Sequence, residues 1–554
     1  MIRRILLIAA ALAAAIATVS HWSVLLIAVA LYATTVILSR LTGAAPRSGG
    51  DADQTGAAIV ISVATGIVVL HADADAVSLW EVATVLALLH GLHLVRHVLR
   101  VLVYRRWRAA ADWRNVAVAA PLPVRVDPVA GPTLVAIPVW VIAPILAIFD
   151  ADPIAYVGLG VVCLGLVIGT LVPTSRALLH NLRMPSERAR LAALTAALRK
   201  QSPEILVHFN ARAGSAYAIT EWMTVLERLA QDHRVVILTV DRLPWHFDTI
   251  PPTSIPLVHL VGAEAIESFV EQIPTLTLAL YPRNTSPNKN LLRVPGLYDV
   301  YIGHGESDKA EAANPATRAF DEIWIAGEAA RARYLDANVG VHEDQLRTTG
   351  RPQVGELLEL AASTTPAPKK SVVYAPTWEG YYADDGYSSI VTHGDAVVSA
   401  LLDRDDVTVT YLPHPALGTL NRRFADASSS VVSRLRHAGG RSVIAGSLSE
   451  RYTVLAAADV LVTDIGTDVV DFLALDRPYF LVDDATIGTL RDDVARALAG
   501  PQKNPARKKL ALRYLGDLST PPIDRFLAEV ERTLALVRQV RPRRTSPAAG
   551  GGEQ

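Results

Sequence analysis

The sequence predicts an α-helical membrane region followed by an α/β half made of two facing doubly wound, Rossmann-like domains. Three observations carry this reading. Of the 554 residues, 51% are hydrophobic and only 19% charged, an apolar excess over ordinary soluble chains that is concentrated in the first third. Beyond residue 200 the texture changes to short apolar runs alternating with amphipathic stretches, the pattern of βαβ units. A Pro/Ser/Thr-rich gap at 363–368 then divides that half in two.

The membrane region comes first, at 1–175, with about six transmembrane helices expected. Apolar runs stand at 5–19, 24–38, 57–70, 77–103, 133–149 and 154–172. Several are shorter than the roughly 20 residues that usually span a bilayer, and the first two also fit a shallow hairpin broken at Ser20-His21-Trp22-Ser23. Loop charge orders them. Arg3 and Arg4, Arg40 and Arg47, the 96–114 arginines, and Arg176, Arg183, Arg188 and Arg190 occupy one set of loops. The alternate loops carry no Lys or Arg and hold Asp73, Asp75, Asp150 and Asp152. The positive-inside rule therefore makes the protein a multi-pass membrane protein with both termini and the α/β half cytoplasmic. Continuation of the first apolar run into a second argues for an uncleaved anchor rather than a signal peptide.

Cys163 is the single cysteine, which excludes an intramolecular disulfide and a cysteine-cluster metal site and fits a reducing compartment. The net charge of −1 gives no basis for nucleic-acid binding. The basic residues near the membrane are expected to face anionic lipid. In the fourth run His90, His93, His97 and Arg100 share one helical face. That face suits a lipid phosphate, and it equally suits interior packing with snorkelling ends. A haem or metal site would need ligands from another face as well.

A charged helical connector covers 176–202. The first Rossmann-like domain is expected over 203–362, with strands at 204–209, 234–240, 256–260, 275–281, 298–302 and 322–326. The second, carrying the donor site, is expected over 369–541, with strands at 371–374, 407–412, 442–445, 459–463 and 479–482. The tail 542–554 is small, polar and expected to be disordered.

Chemistry is expected where strands end, since open parallel sheets bind ligands beyond their carboxyl edges. His304 follows one strand, between Gly303 and Gly305, and His414 follows another, between Pro413 and Pro415. Two such histidines in two halves imply a shared cleft. His208 also lies near a strand end and ranks third. Lys309 could neutralise phosphate or simply be solvated, and Arg351 could clamp a phosphate or form a structural ion pair. Thr377 and Trp378 close a strand at Tyr374-Ala375-Pro376-Thr377-Trp378, where the indole could stack on a base or pack the domain interface. Thr463-Asp464-Ile465-Gly466-Thr467 turns from strand to helix. Thr467 is expected to cap that helix, and the N–H groups after Gly466 suit a phosphate; an ordinary βα loop reads the same way. No P-loop, His-Glu-x-x-His or Gly-x-Ser-x-Gly pattern occurs.

Together these segments resemble the CDP-glycerol:poly(glycerophosphate) glycerophosphotransferase family, membrane-associated enzymes of teichoic-acid synthesis. The resemblance rests on Gly303-His304-Gly305 with Lys309, Gly350-Arg351-Pro352, Tyr374-Ala375-Pro376-Thr377-Trp378, His414-Pro415, and Thr463-Asp464, Asp471-Phe472 and Arg477-Pro478 in the family's order, covering roughly 281–484. It implies a GT-B-like fold, a CDP-alcohol donor in the cleft, and two essential histidines matching His304 and His414. Lys309, Arg351, Thr377, Trp378, Thr463, Asp464, Gly466 and Thr467 are then the donor- and phosphate-binding candidates. The partners implied are a CDP-alcohol, a lipid-linked or glycan acceptor, and membrane lipid. One departure stands out: the family usually has Thr-Asp-Tyr-Ser-Ser where this chain has Thr463-Asp464-Ile465-Gly466-Thr467. Six integral spans are a second departure.

In that chemistry an acceptor hydroxyl loses a proton as it attacks phosphorus, which suits a histidine base; His304 is assigned that role and His414 the leaving CMP phosphate. No carboxylate pair for Mg²⁺ is evident, so neither a metal nor a cofactor is required. A GT-B glycosyltransferase using a nucleotide sugar, and an inactive membrane scaffold or lipid-binding relative, are the alternatives.

Overall fold

Runs such as Ile205–Phe209 and Val235–Thr239 are apolar almost throughout, and every residue in both is buried. Strands of that kind belong inside a parallel sheet covered on both faces. The computed structural model describes residues 112–118, 186–209, 217–239, 250–260, 262–285, 288–309, 312–365, 367–380, 387–438, 441–442, 448–500 and 503–540, with isolated positions between 176 and 183. The expected membrane spans, the His90, His93, His97 and Arg100 face and the 542–554 tail lie outside the described residues.

The first sheet has eight strands in the order β1-β4-β3-β2-β5-β6-β7-β8. They are β1 (Asp112–Arg114), β2 (Ile205–Phe209), β3 (Val235–Thr239), β4 (Leu257–His259), β5 (Leu278–Tyr281), β6 (Tyr298–Tyr301), β7 (Glu322–Ile325) and β8 (Leu346–Thr348). All pair in parallel except β1, which runs antiparallel to β4. The second sheet is parallel throughout, in the order β11-β10-β9-β12-β13. Its strands are β9 (Lys370–Ala375), β10 (Val407–Tyr411), β11 (Arg441–Ser442), β12 (Val460–Thr463) and β13 (Tyr479–Leu481). Strand order reverses between β2 and β5 in one sheet and between β9 and β12 in the other. Those two switch points are where a doubly wound fold opens a crevice for ligands.

Six helices frame the two sheets near these switch points: α1 (Glu187–Gln201), α2 (Tyr217–Thr220), α3 (Met223–Asp232), α4 (Val354–Ser363), α5 (Thr467–Phe472) and α6 (Pro522–Val540). Among the described residues no helix is long and apolar enough to cross a membrane.

Three placements differ from the sequence reading. First, the chain crosses between sheets at Gly350-Arg351-Pro352 and not at 363–368. In α4, Val354 packs with Val470 and Leu515, and Leu357 with Val373, Tyr452 and Leu461, all from the second domain. Helical periodicity shows that a face is apolar but not which sheet will cover it. Second, α6 leaves the second domain and returns to the first. Phe526, Val530 and Leu534 join the core formed by Ile205, Val207, Val235 and Leu278, and Arg532 pairs with Glu322 at 2.6 Å.

Third, β1 comes from the arginine-rich loop between the fourth and fifth apolar runs. Trp113 is 1% exposed and shares a core with Leu194 and Leu198 of α1 and Val258 of β4. Its indole N–H donates to the Val118 carbonyl at 2.9 Å, and Asn115 Nδ2 donates to the carbonyls of Thr253 and Ile255. A three-residue strand leaves little periodicity to read.

His208 is fully buried, edge-on to Tyr281 with ring centroids 5.4 Å apart. It is a core residue and not a cleft residue. Burial lowers its pKa from 6.5 to about 4.

Both buried rings can be tested by substitution. Trp113→Ala should lower the stability of the full chain by about 3–5 kcal/mol, the range for emptying a buried tryptophan site, read as a drop in denaturant midpoint. For His208 the folded pKa lies below the unfolded one, so the unfolded chain binds more protons between pH 6.5 and about 4, and stability falls as pH falls through that window. Denaturation at pH 7 and pH 5 should show His208→Leu losing about 2 kcal/mol less than the parent.

Candidate active site

The segments that end the strands beside each switch point face one another. After β6 the backbone turns at Gly303, whose φ of +64° lies in the left-handed region that glycine adopts at little cost. That turn aims His304 back at the neighbouring strand end, where its Nδ1 lies 3.2 Å from the Pro282 carbonyl following β5. Trp222 fixes the same turn, its indole N–H donating to the Gly303 carbonyl at 2.7 Å. After β10, the backbone N–H of His414 donates to the Pro376 carbonyl beyond β9 at 3.0 Å. Each histidine is thus tied to the strand end bordering its own switch point.

Tyr217 brings the two together. Its ring lies edge-on to His304 (centroids 5.8 Å) and to His414 (5.4 Å). Trp378 stacks over the other side of His414, 6.2 Å between centroids and 24° between planes. Both residues follow neighbouring strands of the second sheet, so this stacking lies within the second domain.

The neutral tautomers follow from the partners. A carbonyl can only accept, so the bond to Pro282 puts the proton of His304 on Nδ1 and leaves Nε2 as the basic nitrogen. For His414 the partner is the Ala416 backbone N–H, 3.0 Å from Nδ1. That group can only donate, so the proton of His414 sits on Nε2. Burial first, then the Arg283 guanidinium, lowers the His304 pKa to about 3. Burial, Arg451, Lys309 and His304 hold His414 well below 6.5. Both rings are neutral near pH 7, one presenting a base and the other a donor.

The remaining candidates form the floor. Thr463 Oγ1 donates to the Ala375 carbonyl at 2.6 Å, holding the strands of the second switch point together. Asp464 accepts from the backbone N–H of Thr377 at 2.8 Å and of Ser389 at 3.1 Å, while its Oδ1 is buried without a partner. Burial raises its pKa. Lys309 Nζ donates to Thr377 Oγ1 at 2.8 Å across the cleft. Gly466, not Thr467, is the N-cap of α5, and no side chain caps that helix; the backbone is still extended at Gly466, and Thr467 is the first helical residue. The Thr467 hydroxyl instead lies against Gly305, where a Cβ would overlap its Oγ1.

Arg351 is engaged. Its Nε and Nη2 form a forked pair with Asp471, which also accepts from Tyr452 Oη at 2.6 Å. A second fork joins Arg451 to Asp468, and Arg451 Nη1 donates to the Pro413 carbonyl at 3.0 Å, fixing the residue before His414. Glu379 accepts from the N–H groups of Gly418, Leu420 and Asn421 at 2.8–3.1 Å, clamping the loop beyond it. Sequence reasoning missed Tyr217, Glu221, Glu379, Arg451 and Asp468. The loop after β2 is also a strand end at a switch point, and that signal could have found Tyr217. Among the described residues, no group of three or more His, Cys, Asp or Glu side chains is placed to hold a metal ion.

A family model spans both histidines' neighbourhoods. Residues 304–487 match the CDP-Glycerol:Poly(glycerophosphate) glycerophosphotransferase family. The resemblance carried by the motifs is borne out over that segment, and with it the reading of a glycerophosphotransferase-like enzyme. No curated protein sequence matches the chain. Solved structures similar to it include the wall teichoic acid polymerase TagF (16% identity, 63% of this chain and 93% of that one, TM-score 0.34). Others are the UDP-GlcNAc 2-epimerase from Neisseria meningitidis bound to UDP-GlcNAc (12%, 60% and 100%, 0.40) and the S. aureus MnaA–UDP complex (11%, 62% and 100%, 0.40). At those scores the likenesses carry no argument about chemistry. The matched segment includes Lys309, Arg351, Thr377, Trp378, Thr463, Asp464, Gly466 and Thr467 as well as both histidines.

Gly305 and Gly466 respond oppositely to a side chain. Gly305→Ala should cut transfer activity at least tenfold with the denaturant midpoint little changed, because the new methyl meets Thr467. At Gly466 a Cβ would stand 3.5 Å from Thr377 Oγ1, an ordinary contact. Gly466→Ser, which restores the family's hydroxyl, should leave stability within about 0.5 kcal/mol and keep activity.

Proposed function

We propose that this protein is a membrane-bound transferase that moves an alcohol phosphate, glycerol phosphate or a similar unit, from a CDP-activated donor to a hydroxyl of a lipid-linked or glycan acceptor. The process it serves is synthesis of a teichoic-acid-like cell-wall polymer. The carrying observation is the complementary pair of neutral histidines, one offering Nε2 as a base and the other Nε2–H as a donor, at two facing switch points.

The acceptor oxygen attacks the phosphorus bearing the alcohol and its proton passes to His304 Nε2. The P–O bond to CMP breaks, and the leaving CMP phosphate takes the electron pair. His414 Nε2–H donates to the phosphate oxygen on which charge develops. The low basicity of His304 in the empty cleft suits this order of events. An anionic pyrophosphate bound alongside favours the imidazolium and raises the pKa toward the range where general bases work. Thr377 and Lys309 present a hydroxyl and a cation to the same phosphates.

The membrane placement, with the catalytic half cytoplasmic, rests on the apolar runs and on the one-sided arginine loops. It gains support from β1: a strand from one of those arginine loops belongs to the catalytic sheet. A cytosolic nucleotide donor and a lipid-linked acceptor would then meet at the membrane surface.

Membranes containing the protein, incubated with labelled CDP-glycerol or CDP-ribitol, should release CMP in an acceptor-dependent manner. His304→Ala and His414→Ala should each lower kcat by about 10²–10⁴-fold. Silence with both donors alongside turnover of a nucleotide sugar would establish the glycosyltransferase alternative instead.

A further inference from the structure

Glu221 is an ionisable group at the cleft for which the transfer step has no use. It lies one helical turn beyond Tyr217, with its backbone N–H donating to the Tyr217 carbonyl at 2.9 Å. Residues four apart on a turn share a face, so Glu221 projects beside the ring that touches both histidines. The next residue, Trp222, pins this turn to the His304 loop. Although the residue is only half-buried, its Oε2 is sealed from solvent and has no hydrogen-bond partner.

The charged groups facing it come from three places. Arg351 is at the crossover, Arg451 and Tyr452 are on the helix Leu448–Ala457, and Asp468 and Asp471 are on α5. Both arginines are already forked onto their own aspartates, so the cluster is balanced without Glu221. An ionised Glu221 would add an uncompensated negative charge. Burial above all, offset only partly by Arg351, raises its pKa to about 8. The charge of Arg351 acts on both Glu221 and His304, and that of Arg451 on both Glu221 and His414.

We infer that Glu221 is a third functional group of the cleft, a neutral carboxylic acid that donates a hydrogen bond to a phosphoryl oxygen of the bound nucleotide donor. The inference rests on the transferase reading in so far as the ligand is a nucleotide diphosphate ester. A buried oxygen without a partner in the empty protein gains one when the donor binds, and the anionic donor in turn favours the protonated form. Loss of the proton replaces that bond with repulsion between carboxylate and phosphate. The proton is held below about pH 8 and lost above it, so donor binding should weaken on the alkaline side only.

The test is equilibrium binding of CDP-glycerol, and separately of UDP-N-acetylglucosamine, to the full-length detergent-solubilised protein from pH 6.5 to 9.5. Both are pyrophosphate diesters whose phosphates do not titrate near pH 8. For the donor that binds, Kd should be level to about pH 7.5 and rise about fivefold between pH 8 and 9, approaching the tenfold-per-unit slope of one required proton above that. Glu221→Gln keeps a donor N–H and should bind within about threefold at pH 7 with no alkaline rise. Glu221→Ala should bind about tenfold more weakly and be equally flat. A parent Kd that stays level to pH 9.5, an alkaline rise that persists in Glu221→Gln, or no binding of either donor by folded protein would overturn the inference. Binding of UDP-N-acetylglucosamine alone, or binding of CDP-glycerol without CMP release when acceptor-containing membranes are supplied, would instead overturn the transferase reading and leave the Glu221 result legible.

Discussion

The forked pair between Arg351 and Asp471 is the interaction on which the two-domain arrangement depends. The side chains are only 4% and 2% exposed, and Arg351 stands where the chain crosses from one sheet to the other. Removing one partner of such a buried pair strands the other charge, at a cost of about 3–5 kcal/mol. Desolvation makes a buried pair weak evidence for stability as such; its value here is positional. Asp471 sits on the helix that Gly466 begins, so the pair fixes the crossover relative to the loop that meets Gly305. Arg451 repeats the device one turn earlier on that helix through Asp468, and its contact with the Pro413 carbonyl carries the register to His414.

Much of this was readable along the chain. Every long strand was, because burial on both faces forces a continuous apolar run such as Ile205-Leu206-Val207. Both histidines were, because glycine or proline beside a strand end marks a turn that can present a side chain. What was not readable depended on which surface an apolar face would meet. Leu357 and Phe526 look alike in sequence, yet one covers the second sheet and the other the first. His208 satisfied the strand-end rule but points into the core, since adjacent residues on a strand face opposite sides. The tautomers were invisible for another reason. Nothing near His304 in sequence says that its partner is the Pro282 carbonyl, 22 residues away.

The cleft combines dry surroundings with groups that are neutral when empty. His304, His414 and Glu221 are each shifted toward their uncharged forms mainly by burial; nearby arginines push the two histidines the same way and oppose the shift only at Glu221, where Arg351 and Arg451 are already engaged by aspartates. A polar site assembled this way has little fixed charge to screen, so an entering anion reorganises it strongly. Preorganised dipoles of this kind act where water is excluded. Glu379 and Asp464 gather backbone N–H groups, Glu379 those of Gly418, Leu420 and Asn421 and Asp464 those of Thr377 and Ser389.

The short edge strand at Asp112–Arg114 constrains the topology of the chain. Trp113 and the α1 residues Leu194 and Leu198 lie in one core, against which Val116 and Val118 also pack. The segment 112–118 therefore belongs to the α/β half, although apolar runs at 77–103 and 133–149 flank it in sequence.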